Sequence, residues 1–318
     1  MNEPVRVACI QAEPVVLDRE RTLDKLAALT AEAKTQGAQL VVFPETFVPA
    51  YPSSAWAKFL TGWADPRAKA AFALLARESV EIPGPAADRL GEIAREHEVW
   101  LVTGVNERDP ARPGTLYNAL LYHGPDGRLA IHHRKLVPTN HERMIWGQGD
   151  GGGLRALATP IGRIGGLICW ENYMPLARFA LYESGVEIYI ASTADDGDAW
   201  QSTLVHIARE SRAFVVSPCH FQRAGSYPDD FPLRDELAGM DILGRGGSAI
   251  LGPDGAYLAG PLYDDEGILY ADLDPQRLYE EHQRFDAAGH YHRPDLLELR
   301  ITSGPSGPSS RAEPASPA

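Results

Sequence analysis

The opening of the chain decides the fold: PVRVACI at residues 4–10 and LVVF at residues 40–43 are apolar runs of strand length. Between them, Leu23, Leu26 and Ala27 recur at helical spacing, and this pattern ends near Gly37. A buried strand, a helix and a second buried strand in this order predict a βαβ opening. The expected fold class is α/β, a layered sheet with helices on its outside.

The same alternation continues along the chain, together with two hairpins. A helix is expected at residues 86–96 and a strand at residues 99–105. Apolar runs then flank the turn GPDGR within residues 116–133 and the turn PIGR within residues 154–168. These two hairpins predict antiparallel pairing and hence a mixed sheet. The later expected elements are a helix, a strand, a helix and three strands, at residues 175–183, 186–191, 200–212, 214–217, 248–251 and 268–273. The glycine-rich residues 224–247 show no clear period and are either a functional loop or an oligomer contact.

Composition narrows the class of protein. The 318 residues are 44% hydrophobic and 23% charged, enough for a large core in one domain, and the net charge of −13 opposes nucleic-acid binding. The N-terminus lacks a secretory pattern, no apolar run spans a bilayer, and three widely spaced cysteines indicate reduced thiols, so we expect a cytoplasmic protein. Residues 1–302 are expected to form the domain, and residues 303–318, rich in Pro, Gly, Ser and Ala, a disordered tail.

One cysteine lies at a position that favours a catalytic role. The run GGLICWENY at residues 165–173 places Cys169 at the point where an apolar strand should meet a helix. Such a turn presents a side chain in a cleft, and the first N–H groups of the helix favour a thiolate. The alternative is an inert, buried cysteine. Because cysteine is among the residues most often buried in proteins, this alternative is favoured when the turn is considered without the rest of the chain.

Two charged residues occupy comparable positions, and a third lies seven residues after one of them. Glu45 directly follows a buried strand, where desolvation would raise its pKa and suit it to acid–base work, although it could be a solvated loop residue. Lys135 also follows a strand and could stabilise developing negative charge, or be one of many surface lysines. Glu142 could orient Lys135 or simply pair with Arg143 at the surface.

Six blocks of sequence, in order along the chain, resemble the nitrilase branch of the carbon-nitrogen hydrolase superfamily. They are FPETFVPAYP, HRKLVPTNHERMIWGQGDG, GGLICWENYMPLARFALY, AWQSTLVHIARESRAFVVS, GGSAILGPDGAYLAGP and HYHRPDLL, and they span residues 43–297. The resemblance implies a catalytic triad of Glu45, Lys135 and Cys169 supported by Glu142. It also implies an α-β-β-α sandwich with mixed sheets and outer helices, and homodimers that build larger spiral homo-oligomers.

The activity implied by this resemblance is hydrolysis of a small organic nitrile by water, giving a carboxylic acid and ammonia through a covalent cysteine intermediate. A related amidase, a nitrile-hydrating enzyme that releases an amide, and a catalytically silent assembly protein remain alternatives. No cofactor is required, and the spacing of the histidines matches no metal motif. Aromatic walls suit a small substrate, and the candidates are Tyr51, Trp146, Trp170, Tyr173 and Trp200. The DDGD run at residues 195–198 is expected to be a solvated turn, with contact to substrate or a second subunit as the alternative.

Overall fold

Two mixed β-sheets lie face to face, and helices cover their outer faces. The computed structural model of the chain describes residues 1–302, and the predicted tail at residues 303–318 lies outside them. The strands are β1 (Val5–Gln11), β2 (Leu40–Val42), β3 (Val80–Glu81), β4 (Trp100–Arg108), β5 (Leu116–His123), β6 (Leu129–Arg134), β7 (Leu157–Thr159), β8 (Gly162–Ile168), β9 (Ile188–Ser192), β10 (Phe214–Ser217), β11 (Phe221–Arg223), β12 (Ile242–Leu251), β13 (Tyr257–Tyr263) and β14 (Gly267–Leu273). The α-helices are α1 (Arg19–Thr35), α2 (Ser54–Ala57), α3 (Pro66–Glu78), α4 (Pro85–Glu96), α5 (Pro175–Glu183), α6 (Asp198–Ser211) and α7 (Gln276–His282).

Each sheet combines a parallel centre with antiparallel flanks. The first has the order β14-β1-β2-β4-β5-β6, with β3 beside β4, and its parallel pairs are β1/β2, β2/β4 and β3/β4. The second has the order β11-β12-β10-β9-β8-β7, with β13 beside β12, and its parallel pairs are β8/β9 and β9/β10. The crossover helices α1, α5 and α6 connect parallel neighbours, whereas the hairpins β5/β6 and β7/β8 are antiparallel.

The two-residue period of the strands builds the layers. In β1, Val7 and Cys9 enter the core between the sheets, whereas Ala8 and Ile10 pack on the other face, beneath α1 and α4. In β9, Ile190 enters the shared core and Tyr189 packs against the α5 and α6 layer. Because both faces of each central strand are buried, the strands are apolar runs, as parallel sheets require. The result is the α-β-β-α sandwich that the family resemblance implies.

Most predicted elements are confirmed, and the errors have local causes. Helix α5 has the predicted bounds, and both hairpins form where they were expected. Helix α3 was missed although Asp65 caps it and Pro66 occupies its first turn, both typical of a helix start. Strand β13 was missed because it contains Gly260 and Pro261, which an edge strand tolerates.

The interpretation of residues 224–247 as a functional loop or an oligomer contact missed regular structure at its end. Strand β12 begins at Ile242, so the last six residues of that stretch belong to the second sheet. Its glycines concealed the strand pattern, and the structure explains one of them. A Cβ at Gly246 would meet the side-chain amide of Gln11 at 2.2 Å, and that amide oxygen accepts the N–H groups of Gly247 and Ser248 at 3.0 Å each.

Within residues 1–302, none of the helices has the length and apolar character needed to cross a membrane.

Candidate active site

The turn after β8 holds Cys169 in a strained conformation. Cys169 is the first residue of a short 3-10 turn, Cys169–Tyr173, and its φ of +50° lies in the left-handed region that non-glycine residues rarely adopt. Its side chain is buried, and the Thr193 hydroxyl donates a hydrogen bond to its sulfur at 3.2 Å. Strain of this kind persists only where the surroundings impose it, and it is concentrated at functional sites.

Glu45 enters the same region from the first sheet. It follows β2, and its loop lies so close to β4 that a Cβ at Gly104 would meet the Pro44 carbonyl oxygen at 2.2 Å. The Ser192 hydroxyl donates to the Phe43 carbonyl at 3.1 Å, which ties this loop to the second sheet. His220, between β10 and β11, bonds the Glu45 carbonyl through Nε2, so the second sheet also holds the backbone of Glu45.

Lys135 connects two buried carboxylates. It follows β6, is 1% exposed, and its ammonium donates to Glu45 Oε1 at 2.8 Å and to Glu142 Oε2 at 2.7 Å. Glu142 also accepts the Thr139 N–H at 2.6 Å and, through Oε1, the Tyr51 hydroxyl at 2.8 Å. The alternative pairing of Glu142 with Arg143 is therefore wrong, because the Arg143 Nε donates instead to a backbone carbonyl.

The two carboxylates keep Lys135 charged. Burial alone would lower the pKa of this lysine, but the charges of Glu45 and Glu142 outweigh burial and raise the pKa above its ordinary value. Burial raises the pKa of Glu142, and Lys135 opposes that shift only in part. The cluster therefore presents a permanent ammonium between two acids, which suits it to stabilising negative charge.

The predicted preference of Cys169 for the thiolate is wrong. Burial raises the pKa of this thiol, the charges of Glu45 and Glu142 raise it further, and Lys135 and the Thr193 hydrogen bond offset only part of the rise. A short 3-10 turn cannot overcome desolvation combined with two carboxylates from other segments. The thiol is therefore protonated at neutral pH, and its attack on a substrate requires a base.

Glu45 has one oxygen available for that proton. Its Oε1 accepts hydrogen bonds from Lys135 and from the Asn118 amide, the latter at 2.6 Å. Among the described residues, its buried Oε2 has no hydrogen-bond partner. A buried carboxylate oxygen without a partner lowers stability, so its retention calls for a functional explanation. This oxygen can accept a proton from a thiol or from water while the other oxygen stays fixed.

A cleft of about 400 Å³ opens above Cys169. It is lined by Tyr51, Ser53, Ser54, Thr139, Asn140, His141, Glu142, Cys169, Trp170, Ala194, Asp195, Asp196 and Leu243. Two of the five aromatic candidates, Tyr51 and Trp170, line it. Trp170 is 50% exposed and donates from Nε1 to Asp195 at 2.8 Å, so the DDGD run forms part of the cleft wall.

The other three aromatic candidates do not line this cleft. Trp146 is buried behind Tyr51, where its indole N–H donates to Asn106 at 2.9 Å. Trp200 is fully buried in the α6 layer, and Tyr173 packs edge-on between Trp170 and Trp200. Trp146 and Trp200 are core residues, and Tyr173 supports Trp170 from behind.

The sequence interpretation missed three side chains that hold the site. Asn118 binds Glu45, Thr193 binds the Cys169 sulfur, and His220 binds the Glu45 backbone. Burial lowers the pKa of His220 to about 4, so this imidazole is neutral and donates from Nε2. The signal for Asn118 was a polar residue within an otherwise apolar strand.

Two histidines just before Lys135 pair with carboxylates. His132 bonds Glu107 at 2.7 Å, and His133 bonds Glu171 at 3.0 Å. In the part of the chain that the structure describes, no three His, Cys, Asp or Glu side chains form a group that could hold a metal ion.

The chain is similar in sequence to a known family of hydrolases. The model of the carbon-nitrogen hydrolase family matches residues 6–283. A bifunctional nitrilase/nitrile hydratase, NIT4A, from Lupinus angustifolius is 43% identical over 96% of this chain and 89% of its own length. An aliphatic nitrilase from Sinorhizobium fredii is 43% identical over 94% of this chain and 96% of its own.

The solved structures agree on the fold. The crystal structure of a carbon-nitrogen hydrolase from Helicobacter pylori superposes with a TM-score of 0.71 at 20% identity and covers 92% of this chain and 97% of that chain. An amidase of the nitrilase superfamily from Nesterenkonia has a TM-score of 0.65 at 21% identity, covering 90% and 98%. The chain belongs to the carbon-nitrogen hydrolase family, in its nitrilase branch.

Proposed function

We propose that this protein is a nitrilase that hydrolyses a small organic nitrile to the carboxylic acid and ammonia, with Glu45, Lys135 and Cys169 as its catalytic residues and Glu142 as their support. Two relatives at 43% identity are named a bifunctional nitrilase/nitrile hydratase and an aliphatic nitrilase. The observation that carries the proposal is the unpartnered Oε2 of Glu45, in a carboxylate whose other oxygen is fixed by Lys135 and Asn118.

The first half of the reaction forms a covalent adduct. Glu45 takes the proton of the Cys169 thiol while the sulfur attacks the nitrile carbon, and the same carboxylic acid then protonates the nitrogen to give a thioimidate. Because the thiol pKa is raised, this proton transfer is a required step. Thr193 orients the sulfur by donating a hydrogen bond to it.

The second half consumes two waters. Glu45 activates the first, which adds to the thioimidate, and the Lys135 ammonium with backbone N–H groups near Trp170 stabilises the tetrahedral intermediate. Protonation of nitrogen and loss of ammonia leave a thioester, which the second water converts to the carboxylic acid and the free thiol. Expulsion of the thiol from the tetrahedral intermediate would release the amide instead. No step needs a metal or an organic cofactor.

The cleft suits a compact substrate. Its volume of about 400 Å³ is at the lower end of small-molecule pockets. Tyr51, which donates a hydrogen bond to Glu142, and Trp170, which donates one to Asp195 of the DDGD turn, supply its aromatic walls. We infer that these two residues contact the substrate group attached to the nitrile carbon.

Assembly and cellular location follow as lesser proposals. We infer one catalytic domain over residues 1–302, because side chains of both sheets share one core. We also infer homodimers that build larger spiral homo-oligomers, as the resemblance of the sequence implies. Three buried free cysteines fit a cytoplasmic protein. Light scattering over a concentration series tests the assembly.

Product analysis tests the activity. The purified protein is incubated with aliphatic, aromatic and arylacetic nitriles, with dinitriles and with the matching amides, and ammonia, acid and amide are quantified. The proposal predicts acid and ammonia in equal amounts from at least one nitrile class, and no turnover by Cys169→Ala. Activity on amides alone would overturn it in favour of an amidase, and release of amide without acid would favour a nitrile-hydrating enzyme.

A further inference from the structure

A buried pair behind the cleft, Glu171 and His133, has no part in the proposed chemistry. Both side chains are fully enclosed, and the His133 Nε2 lies 3.0 Å from Glu171 Oε2. Glu171 lies two residues after Cys169 in the 3-10 turn, and His133 lies two residues before Lys135 at the end of β6. The pair therefore joins the segment that carries the Lys135 ammonium, at the end of a strand of the first sheet, to the segment that carries the Cys169 thiol, at the end of a strand of the second.

The carboxylate of Glu171 makes this connection through the backbone as well. Its Oε1 accepts the N–H of Leu136 at 2.6 Å, and its Oε2 accepts the N–H of Ile168 at 2.7 Å. Leu136 directly follows Lys135, and Ile168 directly precedes Cys169. One side chain thus binds the neighbour of the ammonium and the neighbour of the thiol, across the space between the sheets.

The environment of Glu171 defines its protonation state. Burial would raise the pKa of this carboxyl, but the neighbouring His133 and the two backbone N–H groups outweigh burial and lower the pKa. An ionised carboxylate can only accept hydrogen bonds, so the His133 Nε2 carries a hydrogen. A Cβ at Gly153 would meet the His133 ring at 2.5 Å, so this glycine lets the backbone close over the imidazole and hold it in place.

We propose that Glu171 is a positioning residue that fixes the separation and orientation of the Cys169 thiol relative to the Lys135 ammonium, with His133 holding its carboxylate. This inference rests on the proposed function, since it assigns Glu171 to the same reaction. It explains how the strained φ of Cys169 is maintained: the charged carboxylate of Glu171, within the turn, accepts the N–H of Ile168, the residue directly before Cys169.

The variant Glu171→Gln tests the inference with little change of shape. An amide offers one acceptor oxygen and one donor nitrogen, so either the Leu136 N–H or the Ile168 N–H must face another N–H group. A displacement of the thiol by a fraction of an ångström then lowers kcat by between about tenfold and about 10²-fold, whereas KM changes by less than about threefold. Turnover is expressed per thiol titrated by iodoacetamide at Cys169, since a merely structural role would reduce the folded fraction but not the rate per titrated site.

Glu187→Gln is the matched control. The Glu187 carboxylate accepts the N–H of Arg163 at 2.7 Å near the other end of the same strand β8, and it also binds the N-terminal amine. The Glu187→Gln variant is expected to keep the wild-type kcat. A kcat for Glu171→Gln equal to that of the wild type would overturn the inference, and so would an equal loss in Glu187→Gln.

A pair of variants at His133 keeps the inference testable if Glu171→Gln does not fold. His133→Gln retains a donor toward Glu171, whereas His133→Leu removes it, so the first is expected to recover most of the kcat that the second loses. Equal rates for the two would refute the role of the pair. If the wild-type protein turns over neither nitriles nor amides, the proposed function fails, and the alkylation rate of Cys169 in the same variants then decides the inference separately.

Discussion

Replacing Lys135 by methionine tests the charge arrangement of the site through stability as well as activity. Methionine fills nearly the same volume, so the main change is loss of the ammonium. Glu45 and Glu142, which are 0% and 1% exposed, then face each other without a cation between them. We expect nearly complete loss of turnover, because the intermediate loses its charge stabilisation.

The magnitude follows from the burial of the cluster. Removing one partner from a buried ion pair costs about 3–5 kcal/mol, since an uncompensated buried charge remains. The free energy of unfolding should therefore fall by about that amount at pH 8. A typical domain has only about 5–15 kcal/mol of stability, so the variant should be folded but clearly weakened.

The loss should depend on pH in a defined direction. In the wild type, the raised pKa of Lys135 means that its stabilising contribution is fully present below the ordinary lysine pKa and is lost only as pH rises through the higher folded value. That contribution is constant between pH 5 and pH 8. In the variant, Glu142 loses the cation that opposes the burial-driven rise of its pKa, so the folded state takes up a proton there as pH falls and the deficit shrinks toward pH 5, by at most about 1.4 kcal/mol per pH unit.

Urea unfolding followed by circular dichroism at pH 5 and pH 8 provides the measurement. Lys25→Met is the control, because Lys25 makes a partly exposed ion pair with Glu266 and should lose at most about 1 kcal/mol. The double variant Lys135→Met with Glu142→Gln removes one abandoned charge and should recover at least about 1 kcal/mol. A deficit below that of the control, or one that grows toward pH 5, would refute the reasoning.

Three further changes have expected outcomes. Glu45→Gln removes the base, and because the thiol pKa is raised, turnover should fall by about 10²–10⁴-fold in steady-state assays; a smaller effect would show that another group takes the proton. Thr193→Val removes the hydroxyl that donates to the Cys169 sulfur and should lower kcat by about tenfold, equivalent to about 1.4 kcal/mol, with an unchanged far-ultraviolet spectrum. Gly104→Ala places a Cβ against the Glu45 loop and should lower both the melting temperature and kcat, whereas the same change at Gly114, which has open space around it, should alter neither.

Much of the fold could be predicted because its pattern is local. The apolar runs of β1 and β2, the amphipathic helix between them and the two hairpins each carry their own turn and period signals. The prediction failed where the local pattern opposed the structure, as in the glycine-rich start of β12 and in β13 with its proline. In both, contacts with other segments decide the conformation.

The site could be predicted only in part for the same reason. The three reacting residues stand at strand ends within recognisable blocks, whereas Asn118 and His220 act on Glu45 from 73 and 175 residues away. The thiolate expectation failed because it considered the turn after β8 without the burial of the thiol and without the charges of Glu45 and Glu142, which come from other segments. Residue type alone does not distinguish Trp170 at the cleft from Trp200 in the core, since only burial separates them.

The covalent adduct on Cys169 tests the central claim most directly. Wild-type protein is mixed with a nitrile that it hydrolyses, quenched in acid within the first turnover, digested and weighed by mass spectrometry. The peptide that contains Cys169 should gain the mass of the thioimidate or of the thioester, and Cys169→Ala should gain none and release no ammonia. Ammonia released by Cys169→Ala at the wild-type rate, or an adduct found only on Cys9 or Cys219, would contradict the account.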